Sequence, residues 1–480
     1  MNPQEHLVRA SQPCCVGRRE FIAGCAACAS MFALGGRPSF AGECRAEICC
    51  ARPRLRLVFT HIPPDLPTWP YVGYDYDGRK TELTAKLQEA CPTVEFLPVT
   101  VQNRTEAENL VKTQDDIDGY VVYMLGLWTD APQVIGASGK PALFVDDLYG
   151  GSGEFLVAYS AAKRNKQRVA CVSSSRFEDV VQGVKCFECI KKLQSSVIVD
   201  VTDQEKLRGS ADAIRELFGI KIHQVKSPEM NAAYEKADRE EAAKWAKFWT
   251  RKARKVVEPT PEDVEKSGIF YLAMWDIMQQ YGAQAIAVDC LGLFYGGKLS
   301  AYPCMGFTQL NNDGYVGACE GDLPSTLTML TMTYLAGVPG YISDPVIDTS
   351  KNQIIYAHCV APTKVFGPDG KNNPYHIRSH SEDRKGACVR SLMPLGETVT
   401  TLEISAVRKE ISFHQAVTVE NIDEDKACRN KLAAEVKGDI NKLLSEWDRR
   451  GWHRVTFYGD HKSSARMFSS LMGLEFVEEA

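Results

Sequence analysis

Short apolar runs alternate with amphipathic segments from residue 54 to about residue 175. Segments with helical periodicity, at 82–90 and 106–112, separate several of these runs. Strands that alternate with helices are typical of a parallel sheet covered by helices on both faces. The pattern therefore predicts strands at 55–59, 94–99, 119–125, 142–145 and 169–173.

The same alternation continues to about residue 344. It predicts strands at 196–201, 220–225 and 285–289, and helices at 204–218 and 261–281, with one long charged helix at 232–253. We therefore expect an α/β protein with two tandem Rossmann-like domains, over residues 52–175 and 176–344.

After residue 344 helical patterns become scarce, and short β-rich runs lie between clusters of turn residues such as Gly367-Pro368-Asp369-Gly370. This pattern of short β-rich runs and turns predicts a mostly antiparallel C-terminal β-domain, a barrel or sandwich, over residues 345–480. Its predicted strands are 353–357, 364–366, 398–404, 410–419, 454–458 and 474–477, with a helix-rich piece at 427–449 and a helix at 463–472.

The N-terminus has the layout of an export signal. Arg18-Arg19-Glu20-Phe21-Ile22 precedes a modestly apolar stretch at 23–36, and Ser39 and Ala41 give a small-x-small end. This order resembles a twin-arginine signal over residues 1–41 and predicts a periplasmic or extracellular protein. The alternative is a basic N-terminal arm followed by a short core helix.

The composition and charge of the chain exclude several classes of protein. The chain has 480 residues, 44% of them apolar and 24% charged, which excludes a disordered or fibrous protein. The net charge is −5 with basic residues spread along the chain, so we expect no nucleic-acid partner. No apolar run reaches the about 20 residues of a membrane span.

Nucleotide binding is disfavoured by the motifs. No G-x-G-x-x-G follows a predicted strand, and the glycine-rich turn at 150–153 lacks the lysine of a phosphate-binding loop.

An aromatic-rich loop follows the first predicted strand, and its rings could stack on a sugar or simply anchor the loop. These rings belong to Trp69, Tyr71, Tyr74 and Tyr76.

The segment 289–359 carries the candidate chemistry. Asp322 is a plausible N-cap for the helical run at 325–335, whereas Glu320 lies two residues too early to cap it. Asp344 and His358 each follow an apolar run and are expected at strand ends. Two carboxylates and a histidine in such positions predict a divalent-metal site.

These motifs resemble the superfamily of L-fucose isomerase and L-arabinose isomerase. Cys319-Glu320-Gly321-Asp322 is similar to its Glu-x-Asp metal-binding loop, and Ser343-Asp344 to its second metal carboxylate. His358 resembles the third ligand of the arabinose enzymes, and His453 takes the place of the terminal histidine, with His461 as the alternative. The resemblance covers roughly residues 285–480.

The resemblance implies a metal-dependent aldose–ketose isomerase with Glu320, Asp344, His358 and His453 as ligands of Mn²⁺ or a similar divalent ion. Glu320 and Asp344 would also move protons between C1 and C2 of an open-chain sugar through a cis-enediol. It further implies a small-molecule sugar substrate and a homo-oligomer, either a trimer or a hexamer.

Two alternatives remain open. Two α/β domains with a cleft are also the architecture of periplasmic sugar-binding or sensor proteins. The same fold and metal could instead support epimerisation or carbon–carbon lysis of a sugar derivative. Four cysteines near the predicted site, at positions 290, 304, 319 and 359, also allow a soft-metal site.

Overall fold

The computed structural model describes residues 52–113, 116–205 and 209–480. The predicted signal over residues 1–41 lies outside these ranges. Among the described residues, no helix combines the length and the apolar composition that crossing a bilayer requires.

The first sheet is parallel and has five strands in the order β2-β1-β3-β4-β5, one of the common doubly wound orders. Side chains alternate along β1, so Leu57 and Phe59 join one core while Val58 joins the core on the opposite face. Its elements are β1 (Arg54–Thr60), α1 (Tyr76–Ala90), β2 (Glu95–Val101), α2 (Arg104–Val111), β3 (Gly119–Met124), α3 (Ala131–Gly136), β4 (Ala142–Asp146), α4 (Ser152–Arg164), β5 (Val169–Val172) and α5 (Phe177–Gln194).

A smaller parallel sheet follows, with four strands in the order β10-β9-β6-β7. The α/β class with parallel sheets is confirmed, although this second sheet makes the Rossmann-like description only partly accurate. Its strands are β6 (Val197–Val201), β7 (Lys221–Val225), β9 (Ala285–Val288) and β10 (Val316–Ala318). The helices of this part are α6 (Ser210–Phe218), α7 (Ser227–Lys236), α8 (Arg239–Lys252), α9 (Pro261–Tyr281), α10 (Cys290–Tyr295), α11 (Cys304–Asn312) and α12 (Leu323–Ala336).

The single helix predicted at 232–253 is wrong, because the structure divides this region between α7 and α8. Ala237 has an extended backbone, with φ −60° and ψ 141°. Asp238 then caps α8 by accepting the backbone N–H groups of Glu240 and Glu241. An aspartate at this position begins a new helix, since its side chain satisfies N–H groups that have no partner inside the helix.

The C-terminal part contains a closed antiparallel barrel, as the pattern of β-rich runs and turn residues predicts. Six strands run in the order β15-β18-β11-β12-β17-β16, and β16 pairs back onto β15 to close the ring. These strands are β11 (Tyr341–Asp348), β12 (Gln353–His358), β15 (Thr398–Ser405), β16 (Glu410–Asn421), β17 (Asn430–Val436) and β18 (Arg454–Tyr458). The remaining elements are β8 (Lys255–Val256), β13 (Tyr375–Arg378) and β14 (Cys388–Ser391) in a small sheet, and α13 (Ile440–Glu446), α14 (Lys462–Met472) and β19 (Glu475–Glu478).

The prediction of a helix-rich piece at 427–449 is wrong over its first half, where the structure has strand β17. The alanine-rich sequence favours a helix locally, yet Ala433 and Ala434 are fully buried and β17 pairs with both β12 and β16. Barrel closure overrides the local propensity here. Residues 364–366 are likewise no strand, because the backbone N–H of Gly367 turns back onto the carbonyl of Lys364 at 3.0 Å.

Asp344 lies inside β11 rather than at the strand end that the sequence suggested. The prediction rested on the end of the apolar run before Asp344, but the strand continues through Pro345 to Asp348. Residues 341–343 pair with β18 and residues 344–348 pair with β12, so the strand exchanges partners at this point. A proline is tolerated after the exchange because only one side of the strand is then paired.

Candidate metal centre

The loop between β10 and α12 presents two carboxylates. Asp322 caps α12 by accepting the backbone N–H of Ser325 at 3.2 Å, as the sequence predicts. Glu320 lies in a single turn of 3₁₀ helix with φ 61°, in the left-handed region that favours glycine. A non-glycine residue costs about 1 kcal/mol there, and such strain is often retained where it orients a functional side chain.

The registers of the barrel strands bring the other site residues together. Asp344 of β11 pairs with Ala357 of β12, which places Asp344 beside His358. Ser343 pairs with Arg454 of β18, which places Asp344 beside His453. Asp344, His358 and His453 are far apart in the sequence, but these registers bring them together at one end of the barrel.

The side chains of Glu320, Asp344, His358 and His453 converge. Nε2 of His358 lies 3.4 Å from Oε1 of Glu320. Nε2 of His453 lies 3.6 Å from Oε2 of Glu320 and 3.3 Å from Oδ1 of Asp344. One ligand atom from each of Asp344, His358 and His453 falls within 4.8 Å of the others, a spacing that can hold one metal ion.

Several buried nitrogen atoms in this cluster lack a hydrogen bond. His358 is 1% exposed, and neither of its ring nitrogens has hydrogen-bond geometry to any partner. Nδ1 of His453 lies 2.9 Å from Oδ2 of Asp322, while its Nε2 has no hydrogen bond. When the imidazole is neutral, a carboxylate that accepts Nδ1–H leaves the lone pair of Nε2 aimed at the cluster, the arrangement seen in carboxylate–histidine–metal sites.

The carboxylates and the histidines of this cluster stabilise each other's charged forms. Burial alone would raise the pKa of Glu320, but its interactions with His358 and His453 lower it overall. Burial likewise opposes, without reversing, the lowering of the Asp344 pKa by His453 and His358. Burial would lower the pKa of His453, yet its hydrogen bond to Asp322 and the nearby carboxylates of Asp344 and Glu320 raise it to about 10.

This donor set fits a divalent cation. Carboxylate oxygens and imidazole nitrogens suit Mn²⁺, Fe²⁺, Co²⁺ or Zn²⁺. A cation would satisfy Nε2 of His358 and Nε2 of His453, which lack a hydrogen bond. A second group, Cys319 with Glu320 and His358, also has metal-capable spacing. It adds one thiol to two of the same side chains, so a softer ligand adjoins the oxygen and nitrogen donors.

The chain is similar to proteins named sulfoquinovose isomerase. The protein from Clostridium sp. (strain MSTE9) is 24% identical over 268 residues, covering 54% of this chain and 58% of that protein. Those from Priestia aryabhattai and Priestia megaterium (strain ATCC 12872 / QMB1551) are each 26% identical over 154 residues, covering 31% of this chain and 34% of theirs.

The chain thus spans between a third and three fifths of the length of these curated relatives. No family model matches it.

The structure brings together all four site residues singled out by the sequence, and their roles as ligands stay a prediction. His461, the alternative to His453, belongs to neither metal-capable group among the described residues. Its Nε2 lies 2.9 Å from the carbonyl oxygen of Tyr458, and its backbone N–H donates to Oγ1 of Thr400.

Two further contacts at the site were not anticipated. Asp322 was predicted to be an N-cap and part of a loop that resembles a metal-binding loop, but its contact with His453 was not predicted. Trp452 is 72% exposed, and its indole N–H donates to Oδ1 of Asp344 at 2.5 Å. The only signal for either contact was the position of Trp452 and His453 immediately before a predicted strand.

Proposed function

We propose that this protein is a metal-dependent aldose–ketose isomerase that acts on a sugar or sugar derivative. The observation that carries the proposal is the convergence of Glu320, Asp344, His358 and His453 within a few ångströms. The similarity to proteins named sulfoquinovose isomerase supports the reaction class.

The four converging side chains would hold a divalent cation, with Mn²⁺ as our first choice. When bound, such an ion supplies Lewis-acid polarisation of the carbonyl and hydroxyl oxygens of an open-chain sugar. Asp322 would act through His453, because its carboxylate accepts Nδ1–H and keeps Nε2 directed at the cluster.

Proton transfer would fall to Glu320 and Asp344. The lowered pKa of each carboxyl keeps both groups ionised at neutral pH and able to accept a proton. In our proposal one carboxylate removes the proton from C2 of the sugar and passes it to O1, which gives a cis-enediol. The other carboxylate then takes the hydroxyl proton of O2 and returns it at C1, so both carboxylates end ionised. The two carboxylates approach His453 at 3.6 and 3.3 Å, so they face a common centre.

Substrate binding would use the exposed ring of Trp452. This ring stands beside Asp344 and offers an apolar face of the kind that stacks on a sugar. The name of the similar proteins makes sulfoquinovose the first sugar to test. L-fucose and L-arabinose complete the first substrate panel, because the superfamily resemblance suggests them.

We also propose that the protein is exported and oligomeric. The twin-arginine-like segment around Arg18 and Arg19 supports export, and replacing both arginines with lysine should leave the protein in the cytoplasm. The superfamily resemblance supports a trimer or hexamer, which light scattering of the purified protein would measure.

The decisive experiment compares Glu320→Gln with Glu435→Gln, a control on an exposed residue of β17. With Mn²⁺ and the substrate panel, we expect the first variant to lose turnover by about 100- to 10,000-fold and the second to match the wild type. Proton exchange at C2, followed by NMR in D₂O, should be lost together with turnover.

Other outcomes separate the alternatives. Retained exchange in Glu320→Gln would remove this residue from the proton-transfer role. Tight sugar binding by the wild type without turnover of any sugar would favour a binding or sensor protein. A C2 epimer or a cleaved sugar as the product would favour the epimerase or lyase reaction.

A further inference from the structure

Two pairs of cysteines flank the candidate metal centre. The inner pair, Cys290 and Cys319, has its sulfur atoms 3.5 Å apart, and both side chains are buried. The outer pair, Cys359 and Cys428, has its sulfur atoms 3.6 Å apart. A disulfide bond needs about 2.05 Å, so a movement of about 1.5 Å closes each pair.

Each pair joins a site residue to a neighbouring element. Cys319 directly precedes Glu320, and its partner Cys290 is the first residue of α10. Cys359 directly follows His358 at the end of β12, and its partner Cys428 lies in the loop before β17. A bond within each pair would therefore fix the backbone that carries a predicted ligand.

Two other buried thiols, those of Cys186 and Cys189, are arranged differently. Cys186 and Cys189 lie on α5 and donate to the backbone carbonyls of Ser464 and Thr331, as packed cysteines commonly do. In the inner and outer pairs, each thiol instead faces a second thiol. Thiols are weak donors and weak acceptors, so a buried thiol pair gains little from its own contact.

We propose that the inner and outer pairs are sites of disulfide formation that hold the loop of Glu320 and the end of β12 in place. Each pair loses two protons and two electrons as its sulfur–sulfur bond forms. A low-molecular-mass disulfide accepts them and leaves as two thiols. This inference is independent of the proposed sugar chemistry.

The exposure of the thiols sets the order of closure. Cys428 is partly exposed, whereas Cys290, Cys319 and Cys359 are buried. The incoming disulfide therefore first forms a mixed disulfide on Cys428, and Cys359 then displaces the small thiol. The inner pair closes more slowly, because its thiols are reached only when the surrounding structure opens.

The test uses the full chain, reduced and then exposed under native conditions to oxidised glutathione. Remaining thiols are alkylated at successive times, and the digested protein is mapped by mass spectrometry. We expect a peptide linking Cys359 to Cys428 first and a peptide linking Cys290 to Cys319 later, while Cys186 and Cys189 stay alkylatable after denaturation. Alkylation of all four paired cysteines, or linkage to other partners, would overturn the proposal.

A variant separates crosslinking from a packing role. The oxidised wild type should melt at a higher temperature than the reduced protein. Cys428→Ser should lose the outer link and part of this increase, whereas the control Cys171→Ser should keep both. An increase of equal size in Cys428→Ser would exclude the outer disulfide as its cause, and the mapped wild-type peptides do not depend on how either variant folds.

Discussion

The indole N–H of Trp452 donates a hydrogen bond of 2.5 Å to Oδ1 of Asp344. The same oxygen lies 3.3 Å from Nε2 of His453, the next residue in the chain. Two consecutive residues thus approach one carboxylate oxygen from adjacent positions. Because Asp344 retains 29% side-chain exposure, this contact limits the rotation that its carboxylate would otherwise have.

Replacing Trp452 with phenylalanine tests whether the indole N–H restricts the rotation of the Asp344 carboxylate. The ring stays but the donor is lost, and a hydrogen bond to a charged group at an exposed position contributes about 1 kcal/mol. We expect Mn²⁺ affinity, measured by calorimetry, to fall roughly fivefold. Trp128→Phe is the control, since Trp128 is equally exposed at 73% and lies in the loop before α3. Unchanged affinity in Trp452→Phe would mean that Asp344 is held without the indole.

Asp322 should control metal affinity without being a ligand. Asn at this position preserves an N-cap for α12 but removes the charge that holds Nδ1–H of His453. Loss of such a supporting carboxylate lowers metal affinity about 10- to 100-fold. We expect Asp322→Asn to show this loss in a Mn²⁺ titration. Unchanged Mn²⁺ affinity in Asp322→Asn would remove Asp322 from the supporting role.

The two candidate terminal histidines can be distinguished by ligand-induced stabilisation. Mn²⁺ at 100 times its dissociation constant should stabilise the wild type by about 2.7 kcal/mol, and EDTA should reverse this. We expect His453→Gln to lose the effect and His461→Gln to keep it, because the ring of His461 bonds to the Tyr458 carbonyl instead. Thermal unfolding with and without Mn²⁺ provides the measurement, and the opposite pattern would reassign the ligand.

Acid stability should depend on Glu479. This buried carboxylate accepts hydrogen bonds from Arg454 at 3.0 Å and lies 2.8 Å from Nδ1 of His414. Burial alone would raise its pKa, but His414 and the charge of Arg454 lower it to about 2. The folded pKa is therefore below the unfolded value of about 4.3. The associated stability is present above that value and is lost as the pH falls through the folded pKa.

Urea unfolding at pH 5 and pH 3 measures this contribution. Wild type should lose roughly 2 kcal/mol more than Glu479→Gln over this interval, because the unfolded chain takes up the proton first. Glu435→Gln, on the exposed side of β17, should lose as much as wild type. Equal losses in wild type and Glu479→Gln would show that the carboxyl of Glu479 titrates alike in both states.

Local patterns were sufficient to predict much of the fold. The helix at 261–281 agrees with the structure at both ends, because Thr260 forms a capping box and Gly282 adopts the left-handed conformation that ends a helix. The failures occurred where distant contacts override the local signal. Asn430–Val436 contains helix-favouring alanines, but it is a strand because β12 and β16 flank it on both sides.

The candidate site was predictable in its residues but not in its connections. Glu320 stood out because it lies too early in the chain to cap α12, and His358 because it follows an apolar run. The family resemblance supplied His453. The contact of Asp322 with His453 spans 131 positions in the sequence, and it depends on strand registers that no local pattern encodes. The aromatic loop after β1 has Tyr74 and Tyr76 stacked edge to face, in keeping with anchoring of the loop.

The hairpin that joins β11 to β12 constrains how this protein can diverge. Asp348 pairs with Gln353 across the intervening turn, and the same ladder sets Asp344 beside Ala357. Side chains alternate between the two faces of a strand, so inserting one residue within the ladder would turn Asp344 away from its histidines. Descendants that keep this chemistry must therefore accommodate length changes in the turn itself, while the spacing from Asp344 to the turn stays fixed.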